Sequence, residues 1–268
     1  MKFMHLIALS AVLGLGCNGD TDTDTDTDID TDTDTDIQET LITVAGVGID
    51  IGAGAPVAEG LCVDIIDPTN AVTGGDSETL NSTVTGAGGT FSVDGITTKP
   101  PFGMFVSISD CEDATEATIW ASLTGLLAPS YKNLSNGDTL EVTAAAINLE
   151  LLAAIEASLD AAMETGSAEE LGIMMAYVND ASGAPVSGGT VACDGCGTFY
   201  YFDADPSDGL FTTAGQLNTS TSADAGGAVL LLSPSTSTYQ AAADGLEYDG
   251  LLFGGSVGVA TFAEFNAK

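Results

Sequence analysis

Short apolar runs separated by turn residues make up most of this chain. Runs rich in Val, Ile and Thr recur from Leu41 to Ile108 and again from Ile173 to Phe265, and Gly, Pro, Asn-Gly or Asp-Gly interrupts them. This spacing is typical of β-sandwich strands rather than of strands that alternate with helices. The pattern predicts a mainly β protein with two β-sandwich domains, at residues 40–140 and 172–268.

One segment has a helical pattern instead. Residues 142–163 contain no Gly or Pro, and Ala predominates. Apolar side chains recur at helical spacing, at Leu149, Leu152, Ile155, Leu159 and Met163. Because this spacing gives a helix one apolar face, we predict a connecting helix between the two domains, at residues 141–171.

Residues typical of helix termini lie at both ends of this segment. Thr143 or Asn148 is positioned to cap its start, and Gly166 to end it. Ser167 and Glu170 then match the pattern of a capping box, which predicts one further helical turn.

The first residues have the pattern of an export signal. Lys2 precedes a predominantly apolar run from Phe3 to Leu13, and Gly14-Leu15-Gly16 follows. Such a run is too short to span a bilayer, and we interpret residues 1–16 as a cleaved signal peptide.

Cys17 follows directly, and this arrangement resembles the lipobox of bacterial lipoproteins. The resemblance implies that Cys17 is lipidated and becomes the first residue of the mature protein. Gly14 and Gly16 also suit an ordinary secretory cleavage, which would leave Cys17 unmodified and the protein secreted. We favour lipidation, and by the sorting rules of Gram-negative lipoproteins Asn18 predicts the outer membrane.

Alternating Asp and Thr residues fill the next segment. Residues 20–39 carry ten acidic side chains and no basic one. Their mutual repulsion and low apolar content predict an extended, disordered tether over residues 17–39. A calcium-binding repeat is the alternative, but the tract lacks the Gly or Asn turn that wraps ligands around an ion.

The whole chain is strongly acidic, with a net charge of −35. After the tether its basic residues are Lys99, Lys132 and Lys268, and it has no Arg. Nucleic-acid binding relies on Lys and Arg, so this composition excludes nucleic acid as a partner. It also argues against docking on anionic lipid head groups.

Similar turns occur in both halves, with Gly54-Ala55-Pro56-Val57 in the first and Gly183-Ala184-Pro185-Val186 in the second. These turns resemble those of carboxypeptidase-regulatory-like, transthyretin-type domains. In the second half the matching segments are Ala176–Val191, Thr221–Val229 and Thr238–Ala243. In the first half they are the fainter Gly54–Val63 and Thr85–Val93. The resemblance implies two Ig-like or transthyretin-like sandwiches, and members of this family are mostly non-catalytic accessory or surface modules.

Four cysteines remain besides Cys17. In an exported protein they favour disulfides, and Cys62, Cys111, Cys193 and Cys196 allow three pairings. We predict Cys62–Cys111 and Cys193–Cys196, one within each domain. The Cys-x-x-Cys pair is a redox site only where a helix N-terminus or a basic neighbour stabilises a thiolate, and neither is predicted here.

The catalytic inventory is small. The single histidine, His5, lies in the signal, which excludes a Ser-His-Asp mechanism and a zinc site built on histidine. We therefore predict no enzyme activity and no cofactor. A pair of carboxylates acting on a glycosidic bond is the remaining catalytic hypothesis.

The spacing of Asp203, Asp205 and Asp208, which are followed by a glycine, is similar to that of a calcium loop. The glycine, Gly209, comes one position late, and Ala214 stands where a calcium loop needs an acid. An Asp-rich turn is the favoured interpretation, and a Ca²⁺ site is the alternative.

Aromatic residues are concentrated at residues 199–202, and the only tryptophan is Trp120. These side chains either stack on a sugar at the surface or pack in the core, and alternation along a strand favours packing. Ligand-binding residues stay unknown.

We predict a non-catalytic cell-surface lipoprotein that acts as a structural or adhesive display module. The alternatives are a carbohydrate-binding module and a calcium-stabilised adhesion module. The expected partners are the membrane, through the N-terminal lipid, and a surface glycan or protein.

Overall fold

The computed structural model describes residues 39–72, 74–112, 114–161, 164–197, 199–202 and 228–268. The strands of the first half are β1 (Leu41–Asp50), β2 (Ala55–Pro56), β3 (Cys62–Asp67), β4 (Glu78–Val84), β5 (Thr90–Thr97), β6 (Met104–Ser109), β7 (Ile119–Trp120), β8 (Ser122–Leu126) and β9 (Thr139–Asn148). Those of the second half are β10 (Ile173–Asn179), β11 (Thr190–Ala192), β12 (Phe199–Tyr201), β13 (Ala228–Leu232), β14 (Ser237–Ala242), β15 (Leu251–Phe253) and β16 (Ala260–Asn266). The helices are α1 (Thr69–Val72), α2 (Ala128–Tyr131), α3 (Leu149–Ala161) and α4 (Ala168–Leu171). The prediction of a mainly β protein is confirmed.

The strands form three sheets. The largest has the order β12-β13-β10-β16-β8-β6-β3-β4, and the smallest the order β11-β14-β15. In the third, β1 lies between β9 on one side and β5 and β2 on the other, and β7 pairs with β9. The largest sheet crosses the predicted domain boundary, because β16 pairs in parallel with β8 and places Ala260 beside Ser122. The largest sheet therefore contains strands from both sides of the predicted boundary between residues 140 and 172.

One face of the largest sheet is covered along its length. In the first half Met104, Val106 and Ile108 point to this face and pack against the sheet of β1, β5 and β9. In the second half Met175 and Phe262 point the same way and pack against α3. Alternate residues of a strand lie on opposite faces, which explains why these cores take every second residue.

The opposite face is covered mainly in the second half. Ala176, Val178 and Phe265 pack there against Tyr239 and Ala241 of the smallest sheet. The smallest sheet ends at β15, so the part of this face that belongs to β6 and β3 lies beyond its edge.

The connecting helix is shorter than predicted. α3 begins at Leu149, whereas residues 142–148 belong to β9, which pairs in parallel with β1 from Thr139 to Ala146. Tertiary pairing overrides the helix propensity of this Ala-rich run. Within α3 the buried apolar side chains are Leu152, Ile155 and Leu159, as the helical spacing predicts. Leu149, which was predicted to share this face, is 39% exposed, and Met163 lies outside the described residues.

The predicted caps of these helices are present. The Asn148 Oδ1 atom accepts a hydrogen bond from the backbone N–H of Leu151 (2.7 Å). The Asn148 amide also donates to the carboxylate of Asp50 (2.9 and 3.0 Å), which ties the end of β1 to the start of α3. The Ser167 side chain accepts a hydrogen bond from the Glu170 N–H (3.0 Å) and begins α4.

The structure contains the disulfides Cys62–Cys111 and Cys193–Cys196, with Cα atoms 5.1 and 5.7 Å apart. These are the pairs that we predicted. The second disulfide closes the turn between β11 and β12.

The turn that follows β10 is closed by the side chain of Asp180. The Asp180 carboxylate accepts hydrogen bonds from the Ser182 hydroxyl and from the N–H groups of Ala184 and Ser182 (2.6, 3.0 and 2.8 Å). These hydrogen bonds hold the pKa of Asp180 below its usual value. Gly183 has a φ of 82°, which glycine adopts without steric cost.

Candidate functional site

A groove lies on the half of the largest sheet that the smallest sheet leaves open. Its floor contains Ile66, Phe105 and Gly125, which are direct neighbours across β3, β6 and β8. The segment of α1 forms one wall, and β15 with the residues that follow it forms the other. We call this cavity of about 320 Å³ the β15 groove.

The β15 groove is apolar, and the described residues that line it carry no charge. Three large apolar side chains on its rim are exposed: Phe102 (48%), Leu127 (40%) and Leu252 (49%). In a chain with a net charge of −35, an uncharged concave surface of this kind stands apart from the rest of the surface. Exposed apolar patches usually mark sites of interaction.

Phe253 shapes the inner end of the groove. The pairing of β8 with β16 ends at Thr124 and Phe262, and the Phe253 ring fills the space beside Gly125. A Cβ atom on Gly125 would lie 2.6 Å from the ring, so a larger residue at this position would require the ring to shift. Phe253 also packs edge-on against Phe105, with ring centroids 5.7 Å apart.

A second cavity of about 560 Å³ lies between β9 and the ends of β10 and β16. It is more polar, because Glu141, Glu264 and Asn266 line it together with Tyr177 and Asn179. The Asn179 amide donates to the Asn266 Oδ1 atom (3.1 Å). Burial and the neighbouring carboxylate of Glu264 raise the pKa of Tyr177 to about 12, so this hydroxyl stays protonated at neutral pH.

Three of the aromatic side chains that the alternative of a sugar-stacking platform requires are buried. Trp120, Tyr200 and Tyr201 are only 7%, 3% and 5% exposed. The Trp120 Nε1–H donates to the backbone oxygen of Gly258 (2.9 Å), and the Tyr200 hydroxyl is hydrogen-bonded to Glu164. β12 is covered on both faces, since Tyr200 packs toward α3 and Tyr201 toward the smallest sheet. The favoured interpretation, packing in the core, is confirmed for these three side chains.

We expect the tyrosines of the folded protein to resist ionisation. Burial raises the pKa of all six, which are Tyr131, Tyr177, Tyr200, Tyr201, Tyr239 and Tyr248. Tyrosine in the unfolded chain has a pKa of about 10. The contribution of the raised pKa values to the free energy of unfolding is therefore complete below pH 10, and it is lost as the pH rises through the higher pKa values of the folded protein. Absorbance at 295 nm should therefore show delayed tyrosine ionisation that coincides with unfolding. Six tyrosines titrating near pH 10 with the fold intact would contradict the burial described here.

Several predicted site residues lie outside the described residues, namely Cys17, Asp203, Asp205 and Asp208. Lipidation of Cys17 and calcium binding by the three aspartates stay predictions. Within the described part of the chain, no group of three or more His, Cys, Asp or Glu side chains is arranged to hold a metal ion. None of the described helices is long and apolar enough to cross a bilayer.

Neither a protein-family model nor a curated protein matches this chain. Among solved structures, the Bacillus anthracis TIE protein is similar at 9% identity and a TM-score of 0.26, over 85% of this chain and 34% of that one. The shaft pilin SpaA from Lactobacillus rhamnosus GG is similar at 10% identity and a TM-score of 0.24, over 85% of this chain and 97% of the pilin. The pilus 2b backbone protein of group B streptococcus is similar at 15% identity and a TM-score of 0.25, over 42% and 43%. This chain thus spans about a third of the length of the first of these structures. Its architecture is defined by the strand pairings described above.

Proposed function

We propose that this protein is a non-catalytic lipoprotein of the cell surface, which displays its β-rich body as a structural or adhesive module. The observation that carries the proposal is the order of the N-terminal segments. An apolar run ends before Cys17, and the acidic tract of residues 20–39 separates that cysteine from the first strand. A lipid at Cys17 followed by a charged spacer would hold the folded part away from the membrane.

The point where the chain enters the fold supports this arrangement. Glu39 and Leu41 are exposed, and the Glu39 carboxylate pairs with the Lys99 ammonium (3.3 Å) at the surface. The tract can therefore leave the body without crossing the core. Twenty residues at roughly 3.3–3.6 Å each would reach about 70 Å when fully extended.

The two disulfides support an oxidising compartment outside the cytoplasm. The proposed lipid on Cys17 and the following Asn18 favour the outer membrane of a Gram-negative cell over release into the medium. A secreted protein cleaved before an unmodified Cys17 is the alternative localisation.

The aromatic burial weakens the alternative of a carbohydrate-binding module. Trp120, Tyr200 and Tyr201 are the side chains on which that hypothesis depends, and they are buried. A surface protein as partner is better supported, because the exposed apolar side chains at the β15 groove suit contact with a polypeptide. The calcium-stabilised adhesion module depends on Asp203, Asp205 and Asp208 and stays a prediction.

Replacing Cys17 tests the anchor. Each CH₂ group of a bound acyl chain contributes about 0.8 kcal/mol to membrane binding, so a multiply acylated protein should stay with membranes and partition into detergent. We expect Cys17→Ser to abolish labelling by a fatty-acid analogue and to release the protein or stall its processing. The matched control is Asn18→Ser, which keeps Cys17 and should still be labelled.

Wild-type protein with an unmodified thiol at residue 17, found in the soluble fraction, would overturn the lipoprotein assignment and favour the secreted alternative. Mass spectrometry of the mature N-terminus separates the two cases directly.

A further inference from the structure

We propose that the β15 groove binds an extended, uncharged peptide segment of a partner protein, which adds a fourth strand to the smallest sheet beside β15. The segment would lie over β6 and β3, where no described strand of the smallest sheet covers this face of the largest sheet. This proposal deepens the adhesive role proposed above by naming the surface and the kind of partner.

Among the described residues the two faces of β6 differ in burial, although Ser107 on the less covered face is also only 8% exposed. Met104, Val106 and Ile108 point to the covered face and are at most 1% exposed. Phe105, between them and on the opposite face, is only half-buried, as are its cross-strand neighbours Ile66 and Gly125. A sheet face with large apolar side chains is normally packed against another layer, and here that layer stops at β15.

The edge of β15 supplies backbone groups for a further strand. β15 pairs with β14 from Leu251 to Phe253, and among the described residues no strand pairs with its outer edge. An edge strand leaves alternate N–H and C=O groups without a sheet partner, and an extended peptide satisfies them. Strands in a sheet lie about 4.8 Å apart, so an added strand would sit next to β15 above the groove floor.

The residues that line the β15 groove determine which side chains an added strand can carry. The groove floor is apolar at Ile66, Phe105 and Leu123, which favours apolar side chains at alternate positions of the peptide. The described lining residues carry no charge, so a charged side chain buried there would lose its hydration without gaining an ion pair.

The overall charge indicates that the partner is a different protein rather than a second copy. Two copies that each carry a net charge of −35 repel one another. The negative electrostatic potential of the protein favours a partner whose residues next to the apolar segment are neutral or basic. Asp76 and Glu78 flank the groove residue Ser77 and add to this field at the rim.

Titration of the full-length protein with a synthetic peptide tests the proposal. The probe is an eight-residue peptide of alternating Thr and Val with a Lys at each end, capped at both termini. We expect saturable binding by isothermal titration and slower amide hydrogen exchange at residues 251–253 on binding. In the double variant Phe102→Gln/Leu127→Gln, which removes two apolar rim contacts, binding should be at least tenfold weaker.

Val84→Gln is the matched control. Val84 is 54% exposed but lies on β4, outside the groove, so this variant should bind the peptide like the wild type. Two further peptides, N-methylated either at every Thr or at every Val, test the backbone pairing. Because alternate amides of a strand point in opposite directions, at least one of the two should lose binding.

Absence of saturable peptide binding would overturn the proposal, as would unchanged binding by both methylated peptides. A wild-type dimer that Phe102→Gln/Leu127→Gln dissociates in sedimentation equilibrium would identify a second copy as the occupant and would also overturn it. The peptide measurements do not depend on Cys17, so their failure is distinguishable from failure of the lipoprotein assignment.

Discussion

A Cys62→Ala/Cys111→Ala variant should lose about 4 kcal/mol of unfolding free energy by the chain-entropy relation for a closed loop of about 50 residues. The disulfide joins residues 49 positions apart. Cys62 also pairs with Ser109 in the β3–β6 ladder, so the disulfide lies at the end of strands that are already hydrogen-bonded. Its loss should therefore act mainly by enlarging the unfolded ensemble and leave the native pairing intact.

The variant Cys193→Ala/Cys196→Ala is the internal comparison. Its cysteines are only three positions apart, and the same relation gives about 1.5–2 kcal/mol for so short a loop. Urea unfolding under non-reducing conditions measures both losses. Equal losses, or a larger loss at Cys193 and Cys196, would show that native-state packing outweighs loop entropy at these disulfides.

Gly172→Ala should destabilise the protein by roughly 3–5 kcal/mol, the sum of backbone strain and overpacking. Gly172 has a φ of 73°, and a Cβ atom there would lie 2.1 Å from the backbone oxygen of Ser256. Its own N–H donates to Ala168 (2.8 Å), and its oxygen accepts from the Ser233 N–H (2.9 Å). The backbone therefore cannot move without disturbing α4 and the entry to β10.

Gly183→Ala separates the two contributions. Gly183 has a similar φ of 82°, but a Cβ atom there would meet nothing within 4 Å. We expect only the cost of the left-handed backbone, about 1–2 kcal/mol. Chemical denaturation of both variants measures the difference, and an equal loss in the two would show that the contact with Ser256 is relieved at no cost.

The features that the sequence predicts well are those that depend on near neighbours in the chain. The apolar spacing of α3 and the caps at Asn148 and Ser167 involve contacts within three or four residues. The turn at Asp180 is likewise closed by residues up to four positions away. For the cysteines, sequence separation left three pairings open, and the structure contains the pairing within each half.

The start of α3 shows where local patterns fail. Residues 142–148 have the Ala content of a helix, but their partner is β1, and Asp50 and Asn148 are 98 positions apart. The gain from extending a buried parallel ladder exceeds a helix preference of a few tenths of a kcal/mol per residue. No pattern within the segment itself indicates that partner.

The β15 groove was missed for a related reason. Its floor and wall combine Ile66, Phe105 and Leu252, which are far apart in the sequence and each look like an ordinary strand residue. The available signals were weak: Phe102 lies in a turn after two prolines, and residues 251–253 are apolar between glycines.

The sequence alone shows that this chain is acidic. It also predicts a mainly β, exported protein with one capped helix and two disulfides. Local turn chemistry, periodicity and charge set these features, because each depends on residues close together in the chain. Three features follow only from the folded arrangement: the shared eight-stranded sheet, the burial of Tyr200 and Tyr201, and the edge of β15 with which no described strand pairs. Strand pairing between distant segments decides which faces of a sheet are covered. The free energy that an apolar side chain gains by burial therefore depends on whether another layer covers it, which the residue type alone does not determine.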